Sequence, residues 1–151
     1  MKSTERSLRE LFRITVRNVG LLEKDDASCC GVTTSQCHAL VEIGRSGTIS
    51  LIDLAQQLNL DKSTLSRTIN NLVESDLLIR EQDPDNRRYI KIQLTKKGLQ
   101  LYQNIEDSMD DYFQKIIEEI PAEKLPQVRE SIDLLLESVG SVKCCEKEEV
   151  R

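Results

Sequence analysis

Between residues 51 and 94 the hydrophobic period of the chain changes twice, and few folds accommodate that order. Over residues 51–60 the apolar Leu51, Leu54, Ala55 and Leu58 recur three and four positions apart, which is one face of a helix. Asn59 then offers a left-handed turn residue, and Asp61 an N-cap for a second helix with Leu65, Ile69, Leu72 and Val73 inward. Residues 77–82 and 89–94 alternate with period two around Asp83, Pro84, Asp85, Asn86, Arg87 and Arg88, a turn composition ending in two arginines. Helix, tight turn, helix and cationic hairpin follow one another as in a winged helix-turn-helix.

The outward side of the second helix is Lys62, Ser63, Thr64, Ser66, Arg67, Thr68, Asn70 and Asn71, with one acid, Glu74, late in the helix. Such donors and hydroxyls, gathered in the N-terminal half, suit phosphates and base edges in a major groove. The net charge of -5 is unevenly spread. Seven bases meet seven acids in residues 1–60, eight meet six in 61–100, and six meet thirteen in 101–151. Phosphate attraction follows local charge, so the acidic total does not exclude DNA.

The flanks read as helices. Leu8, Leu11, Phe12, Thr15, Val19 and Leu22 stripe a helix from about Ser3 to Leu22, a loop follows over residues 24–31, and Thr33 with Gln36 forms a capping box for a helix ending at Gly44. Residues 46–50 form a turn with a short extended piece that could add a third strand to the wing. Beyond the wing, Leu99, Tyr102, Ile105, Met109, Phe113, Ile116 and Ile120 mark a long helix stopped by Pro121. Leu125, Val128, Ile132, Leu135 and Leu136 mark a last one from about Ala122 to Val139, with Pro126 tolerated in its first turns.

The expected fold is mainly α with a small β-wing, one domain over residues 1–151. Residues 33–94 form the winged part, 1–24 and 95–140 dimerisation helices, and 141–151 a tail. These helices carry more apolar surface than one small winged domain covers, so a two-fold homodimer is expected. Its recognition helices would enter successive major grooves of a palindromic site about 34–36 Å apart. The first seven residues lack the apolar run of a signal peptide, and no later run approaches a membrane span, so a soluble, cytoplasmic chain without a membrane partner is expected.

With these residues in view, the chain resembles the multiple antibiotic resistance regulator (MarR) family over nearly its whole length. The resemblance rests on Leu54-Ala-Gln-Gln-Leu58, Asp61-Lys-Ser-Thr-Leu-Ser-Arg67, Asp85-Asn-Arg87 in the wing and Leu94-Thr-Lys-Lys-Gly98 after it. It implies a homodimeric transcription factor, usually a repressor, released from a palindromic operator by an effector near the junction of the helical and DNA-binding parts or by cysteine modification. It further implies that Ser63, Thr64, Ser66 and Arg67 meet the major groove and Arg87 the minor groove. Lys62, Asn70 and Arg88 complete the candidate contacts to double-stranded DNA.

Five cysteines are many for such a chain: Cys29, Cys30, Cys37, Cys144 and Cys145. Disulfides are not expected in a reducing compartment. Cys29 and Cys30 are expected in a loop before a helix and Cys37 in its first turn, where the dipole favours a thiolate. Adjacent cysteines make a strained disulfide, so the pairs favour a soft ion over simple oxidation. Arsenite or antimonite would suit three thiolates; zinc, copper(I), or an oxidant forming a disulfide from Cys37 are alternatives, and Cys144 and Cys145 could close over the site. No obligatory cofactor is expected. The single histidine, His38, adjoins Cys37, but neighbours on a helix point about 100° apart and make a poor nucleophile–base pair, so the chain does not read as an enzyme. Two further readings stay open: a repressor answering a small organic ligand, and a winged-helix interaction module that does not read DNA.

Overall fold

The order of elements follows the periodicity, with departures that have local causes. The computed structural model describes the backbone of residues 2–142 and, of these, the side chains of residues 4–18 and 31–142. It divides into two compact units, Met1–Asp107 and Ser108–Arg151.

In the first unit, α1 runs Lys2–Cys30, longer than the periodic stripe indicated. The loop expected at residues 24–31 is therefore helix almost to its end. No glycine or proline interrupts residues 21–30, and the chain leaves the helix only at Gly31, with φ +71°. The next helix, α2, spans Thr34–Ser46. Its N-terminus is closed as expected: Thr33 Oγ1 accepts from the Gln36 amide at 3.3 Å, and Gln36 Oε1 accepts from the Thr33 amide at 2.9 Å. Its C-terminus lies beyond Gly44, which is an interior residue. A Cβ there would lie 2.5 Å from the Tyr102 ring, so this glycine serves a close approach, and Gly47 ends the helix.

Ser50 caps α3 (Leu51–Leu58), accepting from the Asp53 amide at 3.1 Å, and Asn59 ends it in the left-handed region. Asp61 caps α4 (Lys62–Glu74). The short extended piece forms β1 (Thr48–Ser50), an edge of a three-stranded antiparallel sheet in the order β1-β3-β2, with β2 at Leu78–Gln82 and β3 at Ile90–Leu94. Ile92, in the middle strand, pairs with Ile49 on one side and Arg80 on the other. Leu40, Ile43, Leu54, Leu65, Ile69, Leu72 and Ile92 are fully buried around this sheet and helices α2 to α4. Each contributes roughly 1.5–3 kcal/mol by leaving water, which makes this core the rigid base of α4 and the wing.

Helix α5 runs Lys96–Glu118. Its start is docked on the turn that follows α4. Thr95 donates from its hydroxyl to the Asp76 carbonyl at 2.6 Å and from its amide to that of Leu77 at 3.1 Å. Lys97 Nζ donates to the Ser75 carbonyl at 2.9 Å, and Thr95 Oγ1 accepts from the Gly98 amide at 2.9 Å. A Cβ on Gly98 would run into the Leu77 carbonyl oxygen, which explains the glycine at this position.

In the second unit, α6 (Leu125–Ser141) is preceded by a separate 3₁₀ turn at Ala122–Lys124 instead of beginning at Ala122. An α-helix begun at Ala122 would have Pro126 in fifth place, where an amide is needed; begun at Leu125 it has Pro126 in its first turn, where none is. None of the described residues of this unit is buried, and Phe113, Ile117, Leu134, Leu136 and Val139 are each 47–64% exposed. On α1, Leu8, Leu11 and Phe12 are likewise exposed. Among the described residues no helix is long and apolar enough to cross a membrane.

Candidate nucleic-acid interface

Helix α4 owes its position to the buried Leu65, Ile69 and Leu72 and its start to Asp61. The Asp61 carboxylate accepts from the Thr64 hydroxyl at 2.5 Å and from the Thr64 amide at 2.9 Å. These bonds, the hydroxyl's first, lower the Asp61 pKa from its ordinary value. With its hydroxyl hydrogen directed at Asp61, Thr64 Oγ1 presents only acceptor lone pairs to other partners. Lys62, Ser63, Thr64, Arg67 and Asn70 are exposed and Ser66 is half-buried, so the candidate residues of this helix share one accessible face. Thr68 does not belong to it: it is buried, and its hydroxyl donates to the Thr64 carbonyl at 3.2 Å. Val73, assigned inward from its apolar character, is only half-buried.

The wing tip closes on itself. The Asp83 amide donates to the Tyr89 carbonyl and the Tyr89 amide to that of Asn86, each at 2.9 Å. Asp83 Oδ1 accepts from the Asp85 amide at 3.0 Å, Asn86 Oδ1 from the Arg88 amide at 3.2 Å, and Lys91 pairs with Asp83 at 3.2 Å. The Asp85 amide and then Lys91 hold the Asp83 pKa below its ordinary value. Arg87 and Arg88 are exposed on this closed loop. Arg88 also lines a small recess with Ser50 and Lys62, which brings the wing base beside the N-terminal end of α4.

Arg80 was not among the expected contacts, yet its Nη1 donates to Asn70 Oδ1 at 2.6 Å, joining strand β2 to the outer face of α4. Strand alternation contains the signal: Arg80 lies two residues beyond the buried Leu78 and so on the same face of the sheet.

The cysteine reading divides. Cys37 is half-buried in the first turn of α2, its amide donating to the Thr33 carbonyl at 2.8 Å. Cys29 and Cys30 belong to the last turn of α1 and not to a loop; their side chains, and Cys144 and Cys145 entirely, lie outside the described residues. Among the described residues no group of three His, Cys, Asp or Glu side chains is arranged to hold a metal ion. An open groove of ≈ 1010 Å³ is lined by Val32, Gln36, Leu72, Asp76, Lys97 and Leu101, among others. One wall is therefore the residue before Cys37, and another is the dock between α4 and α5.

Residues 32–90 match the MarR family. The HTH-type transcriptional regulator FarR of Neisseria gonorrhoeae is 25% identical over 129 residues, 80% of this chain and 86% of that protein. Among solved structures, Streptococcus pneumoniae FabT in complex with DNA superposes with a TM-score of 0.81 at 18% identity, covering 92% of this chain and 99% of that one. The S. aureus MepR–DNA complex superposes with a TM-score of 0.76 at 22% identity, covering 86% and 96%. At these identities the superpositions speak for the fold.

Proposed function

The chain belongs to the MarR family, and on that premise we propose that it is a sequence-specific DNA-binding transcriptional regulator, a homodimer repressing from a palindromic operator. The observation that carries this reading is the exposed face of α4, with Lys62, Ser63, Thr64, Ser66 and Arg67 beside a wing tipped by Arg87 and Arg88, all on one buried core. Side chains from α4 would read base edges in the major groove, Arg87 would enter the minor groove, and Lys62 and Arg88 would take phosphates between them. The exposed apolar residues of α1 and α6 support pairing with a second copy, because a monomer would leave them in water.

The test is selection of duplexes from a random pool by the full chain, then binding to the selected sequence by Arg67→Glu and Arg87→Glu. Loss of binding in both with an unchanged melting profile is expected. Unchanged binding would favour the interaction module instead.

For the signal, thiol chemistry at Cys29, Cys30 and Cys37 remains our first reading, whether a soft metal, a metalloid such as arsenite, or an oxidant. The groove between α2 and the start of α5 is the observation favouring a small organic ligand as the second. A coupling of about 1–3 kcal/mol, roughly 5- to 150-fold in operator affinity, suffices for either. Arsenite, zinc and peroxide should weaken operator binding by wild type and not by Cys37→Ser. Equal responses in both would remove the cysteine reading.

A further inference from the structure

We infer that Arg80 and Asn70 act together as a donor-dominated reader of DNA, preferring hydrogen-bond acceptors over the mixed pattern of adenine. The inference rests on the DNA-binding reading above and adds a specificity element to it. Asn70 stands one turn beyond Arg67 on the exposed face of α4, at a spacing that puts the two side by side. Its amide has one acceptor atom and one donor atom, and Arg80 fixes which is which. A guanidinium carries five N–H donors and no acceptor, so the atom it meets at 2.6 Å is Oδ1.

The usual pairing of asparagine with adenine needs both ends: Oδ1 accepting from N6–H and Nδ2 donating to N7. Here a charge-assisted bond takes one of the two lone pairs of Oδ1 and sets a guanidinium cation against it, which disfavours the approach of a second donor such as N6–H. The unobstructed groups are the Nδ2 amide hydrogens and the other N–H groups of Arg80, which is exposed and has no ion pair among the described residues. That set matches an edge made only of acceptors, either O6 and N7 of guanine or the oxygens of a backbone phosphate. It does not match the N6 amine of adenine or the N4 amine of cytosine. Arg80 lies in β2, which leads from α4 to the wing tip, so the pair sits between the two elements expected in adjacent grooves.

Selection from a random duplex pool by wild type, Arg80→Met and Asn70→Ala tests this, with melting curves to establish that each variant folds and a salt titration on the best wild-type duplex. If the acceptor is guanine, both variants change preference at the same base pairs in each half-site. Arg80→Met, with Oδ1 released, then gains adenine there by roughly tenfold, within the 5- to 150-fold range of one bidentate contact. If the acceptor is phosphate, Arg80→Met weakens all sequences alike and flattens the salt slope by about one per half-site. Adenine preferred by wild type at the positions that Asn70→Ala erases would overturn the inference. So would preference, affinity and salt slope all unchanged in Arg80→Met. A wild-type chain that enriches no sequence would instead overturn the DNA-binding reading itself, whereas enrichment with an inert Arg80→Met would overturn only this one.

Discussion

Replacing Gly98 with alanine should destabilise the protein, whereas the same replacement at Gly140 should not. Both glycines lie in helices, where alanine is favoured by up to about 1 kcal/mol. They differ in what an added methyl meets. At Gly140 nothing lies within 4 Å; at Gly98 the methyl would overlap the Leu77 carbonyl oxygen and lie 3.0 Å from the Leu77 carbonyl carbon. The obstacle is backbone at the head of β2, which cannot rotate aside as a side chain does. Relief requires the start of α5 to lift away, lengthening the bonds from Thr95 to the Leu77 and Asp76 carbonyls. Overpacking costs about 1–3 kcal/mol, and two weakened hydrogen bonds cost about 1 kcal/mol each. Less the helix-propensity gain, the net loss is about 2–4 kcal/mol, or a fall in Tm of about 4–16 °C for a chain of this size. Thermal unfolding followed by circular dichroism at one fixed protein concentration measures it, since self-association of the kind proposed would make Tm concentration-dependent. A Gly98→Ala protein that melts at or above wild type, as Gly140→Ala should, would refute the claim that a rigid close approach selects this glycine.

Two further outcomes are expected. The Asp61 pKa is lowered in the folded chain, so its stabilising effect is fully present above the unfolded-state value near pH 4 and is lost as pH falls through the lower folded value. Asp61→Ser keeps a capping oxygen without a titrating group, so its stability should fall less steeply below about pH 4 in acid-unfolding titrations; parallel curves would count against the cap as the titrating element. Arg87→Gln with Arg88→Gln should flatten the dependence of log affinity on log salt by about one for each phosphate left without its arginine. An unchanged slope would mean that neither arginine neutralises phosphate.

Where local chemistry decides the backbone, the residues announced it. Thr33 with Gln36, Asn59 and Asp61 take the conformations and partners their types prescribe, and the short extended piece before α3 joins the sheet. The misjudged positions are those decided by distant neighbours. Gly44 looks like a helix stop until Tyr102 is seen against it, and Thr68 looks like surface until its hydroxyl turns back to the Thr64 carbonyl. The stretch after residue 22 loses its apolar stripe, yet it contains nothing to stop a helix before Gly31. In the candidate site, Lys62, Ser63, Thr64, Arg67, Arg87 and Arg88 could be picked out singly because exposure and charge suffice. Arg80 could not, because its part depends on a partner ten residues away on another element.

The two ends of β2 are held in different ways, and this bears on how such proteins can diverge. At its head, the carbonyls of Ser75, Asp76 and Leu77 are each engaged by Thr95 or Lys97, so a residue inserted or deleted there would throw three hydrogen bonds out of step. At its far end, the loop from Asp83 to Tyr89 bonds only within itself apart from the Lys91–Asp83 pair. Its length can change without breaking a hydrogen bond to α4 or to the other strands. Descendants of this chain are therefore free to lengthen or shorten the wing, while the spacing from α4 to the sheet stays frozen.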